Sequence, residues 1–154
     1  MIDFNFFLSL VGAHFCGDVF AYTPALSKHK RDDKKTKKLS AVMLHGFIHS
    51  LFCLLWLFWE PFTLAAFSAI AVFFIHSLID SGRVLFENRI FGSDTIVILT
   101  RRDILSKLFF QKTNLTTNVF FQKFGRLWVV LNIVDQSLHC ASLIALSFLL
   151  PHVL

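Results

Sequence analysis

Residues 39–59 read LSAVMLHGFIHSLFCLLWLFW, Glu60-Pro61 follow, and residues 62–82 read FTLAAFSAIAVFFIHSLIDSG. Each run can cross a hydrocarbon core of about 30 Å as a helix rising 1.5 Å per residue. With only two residues between them, the runs predict a tight antiparallel membrane hairpin. Trp56 and Trp59 suit an interface, and Pro61 suits the first position of the returning helix.

Two further runs extend the pattern. Residues 128–150 are apolar, and residues 4–26 are apolar apart from a few polar side chains, with Pro24 marking where that helix kinks or ends. More than half of the 154 residues are apolar, twenty of them Phe, which is too many for an ordinary soluble domain. The expected fold is therefore all-α: one transmembrane domain over 1–154, an integral membrane four-helix bundle with spans at about 4–26, 39–59, 62–82 and 128–150. The N-terminus lacks the basic region and cleavage site of a signal peptide, so the first run is expected to stay as a membrane helix.

Orientation follows from charge. Residues 28–38 hold seven of the fifteen Lys and Arg, and residues 83–126 hold the other eight. By the positive-inside rule the loops 27–38 and 83–127 are cytoplasmic and both termini lie outside the cytoplasm. The net charge of +5 is thus read as topology, with residues 28–38 a solvated basic linker and no nucleic acid as partner. Within 83–127, the stretches 103–112 and 119–126 mix apolar and basic residues as amphipathic interfacial helices do, and residues 95–100 look strand-like. That segment reads as a connector or a gate over the inner face. Cys16, Cys53 and Cys140 form no paired motif and read as small apolar fillers.

The chemistry lies in the ionisable residues inside the spans. Such groups cost about 2.5–3.5 kcal/mol each at a helix centre, so they need partners and mark function. There are four pairs, each spaced by four: His14 and Asp18, His45 and His49, His76 and Asp80, Asp135 and His139. That spacing puts both members on one helix face. Under the topology above, which used only Lys and Arg, all four pairs fall at similar depth near the cytoplasmic end of their helices. Five imidazoles and three carboxylates suit a divalent metal, zinc first, with iron or manganese also compatible. Eight groups exceed one tetrahedral ion, so two ions, or one ion with a base and orienting groups, are expected. Asp18, Asp80 and Asp135 are the candidates for proton transfer. Arg83, expected to emerge at the inner surface, and Gln136, beside Asp135, are the expected substrate contacts. The competing reading of all eight is a hydrogen-bonded network without metal.

The chain resembles a family of small bacterial and phage membrane proteins, domain of unknown function 3307. The residues that carry the resemblance are Ala13-His14-Phe15-Cys16-Gly17-Asp18 followed by Lys28, His45-x3-His49, His76-x3-Asp80 with a basic residue at 83, and Asp135-Gln136-x2-His139. Tyr22 stands where that family tends to have Gln, and Arg83 where it tends to have Lys. The family resembles, more distantly, predicted membrane-bound metal-dependent hydrolases. That implies a metal-dependent hydrolase acting on a lipid or lipid-linked ester or phosphoester from the cytoplasmic leaflet. The alternatives are a metal-ion or proton-coupled transporter and a non-enzymatic phage membrane factor with a structural metal. Membrane lipid is the expected partner; four spans make a small bundle, consistent with a homodimer, and no interface motif decides it.

Overall fold

The computed structural model describes residues 3–21, 23–32, 34–91 and 115–153. Among these every regular element is a helix: α1 (Phe4–Ala21), α2 (Pro24–Lys30), α3 (Lys35–Trp56), α4 (Phe62–Phe91) and α5 (Leu115–Val153). The strand-like stretch 95–100 and the amphipathic stretch 103–112 lie outside the described residues.

The boundaries have local causes. Asp3 accepts the Phe6 N–H at 3.0 Å and so caps α1. Thr23 precedes a proline and is extended, at φ −124° and ψ 145°, as the clash with the proline ring requires. The helix of the first apolar run therefore ends just before Pro24, the break the sequence marks, and short of the expected bound at residue 26. It stops at Ala21, and the separate helix α2 begins at Pro24, with Thr23 Oγ1 accepting from Leu26 N at 3.1 Å. Ahead of α3, Asp32 Oδ1 accepts from Lys34 N at 2.9 Å, which holds the Asp32 carboxyl below the usual carboxylate range. Between α3 and α4 the chain turns through Leu57–Pro61, and the Pro61 carbonyl takes the Ala65 N–H at 3.0 Å.

Two helices outrun their apolar stretches. α4 continues past residue 82 to Phe91, and α5 begins at Leu115 instead of 128, so residues 119–126 form its first turns instead of a separate interfacial helix. The reason is packing beyond the apolar runs: Val84, Glu87 and Phe91 are buried, and the Phe91 ring meets Phe120 and Phe124 at 5.7 and 5.1 Å. α3, α4 and residues 118–152 of α5 are long and apolar enough to cross a membrane, while α1 is shorter.

Contacts run in a closed order, α1 with α3, α3 with α4, α4 with α5 and α5 with α1, and α2 lies against α3. Glycines set two of the approaches. A Cβ on Gly46 would meet the Ser77 side chain and, at 3.1 Å, the Phe73 carbonyl on α4, and one on Gly17 would run into the His49 ring. One end of the interior is filled by Phe6, Leu10, Ala13, Cys53, Leu57, Leu64, Ala65, Ala69, Val72, Leu143 and Leu146. The outward faces are apolar too, with Phe58, Phe62, Phe74 and Leu78 more than 60% exposed.

Candidate metal centre

The other end of the interior is polar. His14 and Asp18 come from α1, His45 and His49 from α3, His76 and Asp80 from α4, Asp135 and His139 from α5. Spacing by four turns each pair inward, and the antiparallel helices bring the pairs to one level. All five imidazoles cluster: His49 and His76 stack at 3.7 Å between centroids, His76 and His139 lie at 4.3 Å, His45 and His49 at 4.7 Å, His14 and His139 at 4.9 Å.

Two sets of donor atoms could hold a metal. Asp18, His45, His49 and His76 form one, and His76, Asp80 and His139 the other, the donors within each set lying within 4.8 Å of one another. Tetrahedral zinc, with bonds near 2.0–2.1 Å, spaces its donors about 3.3 Å apart, a contraction that side-chain torsions can supply. Asp18 already draws its set together, with Oδ1 at 3.4 Å from His49 Nε2 and 3.9 Å from His45 Nε2, and Oδ2 at 3.4 Å from His14 Nε2.

The donor set fits a cation on a second ground. Seven buried ring nitrogens lack a well-aligned hydrogen bond: His14 Nε2, His45 Nδ1, both nitrogens of His49 and of His76, and His139 Nε2, and of these His14 Nε2 and His49 Nε2 have the Asp18 carboxylate at 3.4 Å. An unsatisfied buried polar atom costs about 1–3 kcal/mol. A neutral imidazole always carries one lone-pair nitrogen, so stacked rings cannot all serve one another as donors. A divalent cation takes such lone pairs directly.

His14 and Asp135 fall outside both sets. His14 is in ring contact with His49, His76 and His139. Asp135 turns away: its Oδ2 accepts from Arg83 Nη1 at 2.7 Å and from Gln136 Nε2 at 3.4 Å, and its backbone carbonyl lies 3.0 Å from His139 Nδ1. Gln136 thus touches the centre through Asp135 and is also a side-chain hydrogen-bond partner of His14.

Arg83 is not presented at the surface as the sequence suggested. Its Nε donates to Glu87 Oε1 at 3.0 Å, Nη1 to Asp135 and Nη2 to Asn132 Oδ1 at 2.8 Å, so protein acceptors engage all three nitrogens. Nor is the segment 28–38 wholly a solvated linker. Lys30 pairs with Asp80, and Arg31 donates to Glu87 Oε2 at 2.9 Å through Nε, with Nη2 at 2.8 Å. Burial pulls the Lys30 ammonium below its ordinary range, against the opposing pull of Asp80.

Glu87, only 2% exposed and held between two arginines, is the residue that sequence reading missed. Its signal was the spacing of four from Arg83, obscured because residue 87 falls beyond the apolar run. His29 and His152 are exposed and lie apart from the cluster.

The described chain is thus a helical protein with a buried His/Asp centre closed at one end by ion pairs. It belongs to the family described as protein of unknown function (DUF3307), whose model matches residues 6–153 and so spans α1 to α5. No curated protein and no solved structure gave a significant match.

Proposed function

We propose that this chain is a metal-dependent hydrolase embedded in a bacterial inner membrane as a four-helix bundle, with both termini outside the cytoplasm. Its substrate is a lipid or lipid-linked ester or phosphoester drawn from the cytoplasmic leaflet. The observation that carries this reading is the convergence of five imidazoles with Asp18 and Asp80, most of whose buried ring nitrogens have no protein partner. Outward-facing phenylalanines and leucines support the membrane setting, since a water-soluble surface would bury them.

Zinc suits the imidazole-rich donors best, with iron or manganese compatible. A bound ion would supply Lewis-acid polarisation of the scissile carbonyl or phosphoryl group and a more acidic water. His45, His49, His76 and His139 would hold the ion or ions with Asp18 and Asp80. Asp18, whose side chain is the most open of these at 35% exposure, is placed to accept a proton from an arriving water. Asp135 fixes Arg83 and, through its backbone, His139.

A carrier of metal ions or protons would need a second way out. The apolar cluster from Phe6 to Leu146 fills the interior beyond the histidines with side chains that neither ligate nor solvate a cation, which favours one-sided access and hence catalysis.

Elemental analysis of the detergent-purified protein beside the double variant His45→Ala, Asp80→Ala tests the centre. About one to two equivalents of zinc, iron or manganese in the wild type, lost in the variant, are expected. Absence of metal from both would leave the hydrogen-bonded network as the better account. Uptake of labelled zinc into proteoliposomes would put transport ahead of hydrolysis.

A further inference from the structure

Three cations surround the centre, and they differ in what they have left to give. Arg31 is engaged by Glu87 and by the carbonyl and hydroxyl of Ser27, at 3.1 and 2.7 Å. Arg83 is engaged by Glu87, Asp135 and Asn132. An ammonium has three N–H donors. Among the described residues, the hydrogen-bond partner of Lys30 is a single carboxylate oxygen, Asp80 Oδ2. Asp80 also belongs to the second metal-capable set, with His76 and His139. Lys30 is carried on α2, outside the candidate spans, so it reaches Asp80 from the side at which a polar ligand can arrive.

The charges give Lys30 a role. Four carboxylates, Asp18, Asp80, Glu87 and Asp135, face Lys30, Arg31 and Arg83, which leaves one excess negative charge. One divalent ion turns this into one excess positive charge, and two ions into three. Uncompensated charge in a buried site is costly, so a metal-loaded centre calls for an anion. Of the three cations, only Lys30 depends on a carboxylate that a metal would claim.

We propose that Lys30 is the anion-binding residue of the centre: paired with Asp80 in the structure, it turns to a phosphate-type oxyanion of the ligand once a divalent ion takes Asp80. This deepens the metal-centre reading above and rests on it. Lysine serves as a point-charge phosphate binder whose flexible stem allows a change of partner.

The test uses the full chain in detergent as wild type, Lys30→Met, Lys30→Gln and, as control, Lys35→Met at the exposed start of α3. Zinc is titrated first. The zinc-loaded proteins then receive inorganic phosphate, or mixed micelles of phosphatidic acid or phosphatidylcholine. Lys30→Met should bind zinc about tenfold more tightly or better, because Asp80 loses its competing cation. It should bind the phosphate ligand at least about tenfold more weakly, with Lys35→Met matching the wild type. Lys30→Gln, which can keep a hydrogen bond to Asp80 without the charge, carries the test if Lys30→Met does not fold.

A Lys30-dependent response to inorganic phosphate identifies free phosphate as the source, and one confined to phosphatidic acid identifies a lipid headgroup; either supports the proposal. Phosphate or phosphatidic acid binding that is equal in wild type and Lys30 variants overturns it, as does zinc affinity unchanged or weakened in a folded Lys30 variant. Zinc absent from every protein removes the metal centre and this role together, whereas zinc bound without any dependence on Lys30 removes this role alone.

Discussion

The two ends of the interior are built from the same four long helices and treat their polar atoms in opposite ways. At the apolar end the buried hydroxyls of Ser68 and Ser147 donate back to their own helices, to the Leu64 carbonyl at 2.7 Å and the Ile144 carbonyl at 2.8 Å, and Ser9 does the same to Asn5 at 2.9 Å. At the histidine end, seven ring nitrogens within a few ångströms of each other lack a well-aligned hydrogen bond. The chain thus satisfies the hydroxyls of its apolar end with local hydrogen bonds and gathers imidazoles, together with the unpartnered Ser77 hydroxyl, at the other. The contrast teaches that the apolar end supplies packing and the histidine end supplies a binding capacity.

That division can be broken most forcefully at Glu87. Glu87→Ala leaves Arg31 without a carboxylate partner and Arg83 with Asp135 alone, and should cost about 3–5 kcal/mol. A thermal unfolding midpoint in detergent within a degree of the wild type would show that the ion pairs closing the histidine end carry no structural weight. Leu57→Ala, at the fully buried apolar end, should cost about 2–5 kcal/mol as a cavity yet leave metal content unchanged. Loss of bound zinc from folded Leu57→Ala protein would mean that the two ends are not separable. His76→Ala should remove metal from both sets at once, since His76 belongs to each, and abolish turnover. Retention of a full complement by elemental analysis would exclude His76 as a ligand. The smallest effects compare two glycines. Gly17→Ala pushes on the His49 ring and should cost about 1–3 kcal/mol, while Gly82→Ala meets nothing within 4 Å and should be neutral or stabilising by up to about 1 kcal/mol. Equal unfolding midpoints for the two would remove the close approach of α1 to α3 as a determinant of the site.

Much of this was legible in the sequence. The apolar runs around Glu60-Pro61 announced the α3–α4 hairpin, and pairs spaced by four announced which helix faces turn inward. Their meeting at one level followed from antiparallel order. The partners of the charged residues outside the runs were not legible. Lys30 and Arg31 looked like solvated loop residues because hydropathy records what a residue is, and only the break at Thr23-Pro24 aims α2 back over the interior. Arg83 looked exposed because it stands just past the run 62–82, while Glu87 lies on the extension of α4 that contacts such as Phe91 with Phe120 and Phe124 support, and Asn132 and Asp135 come from α5, 49 and 52 residues away. Such contacts are long-range in sequence and leave no periodic signal.

The break at Thr23-Pro24 also sets an order of events during synthesis. Lys30 and Arg31 leave the ribosome 50 and 56 residues ahead of Asp80 and Glu87, the carboxylates they will meet. Chains grow from the N-terminus and distant contacts wait for their later halves. The cationic strap therefore stays without these partners until the α4 carboxylates have been made, and its docking follows formation of the α3–α4 hairpin. Formation of the Lys30 and Arg31 pairs then distinguishes a finished molecule from one whose helices are already in place but whose site is still open.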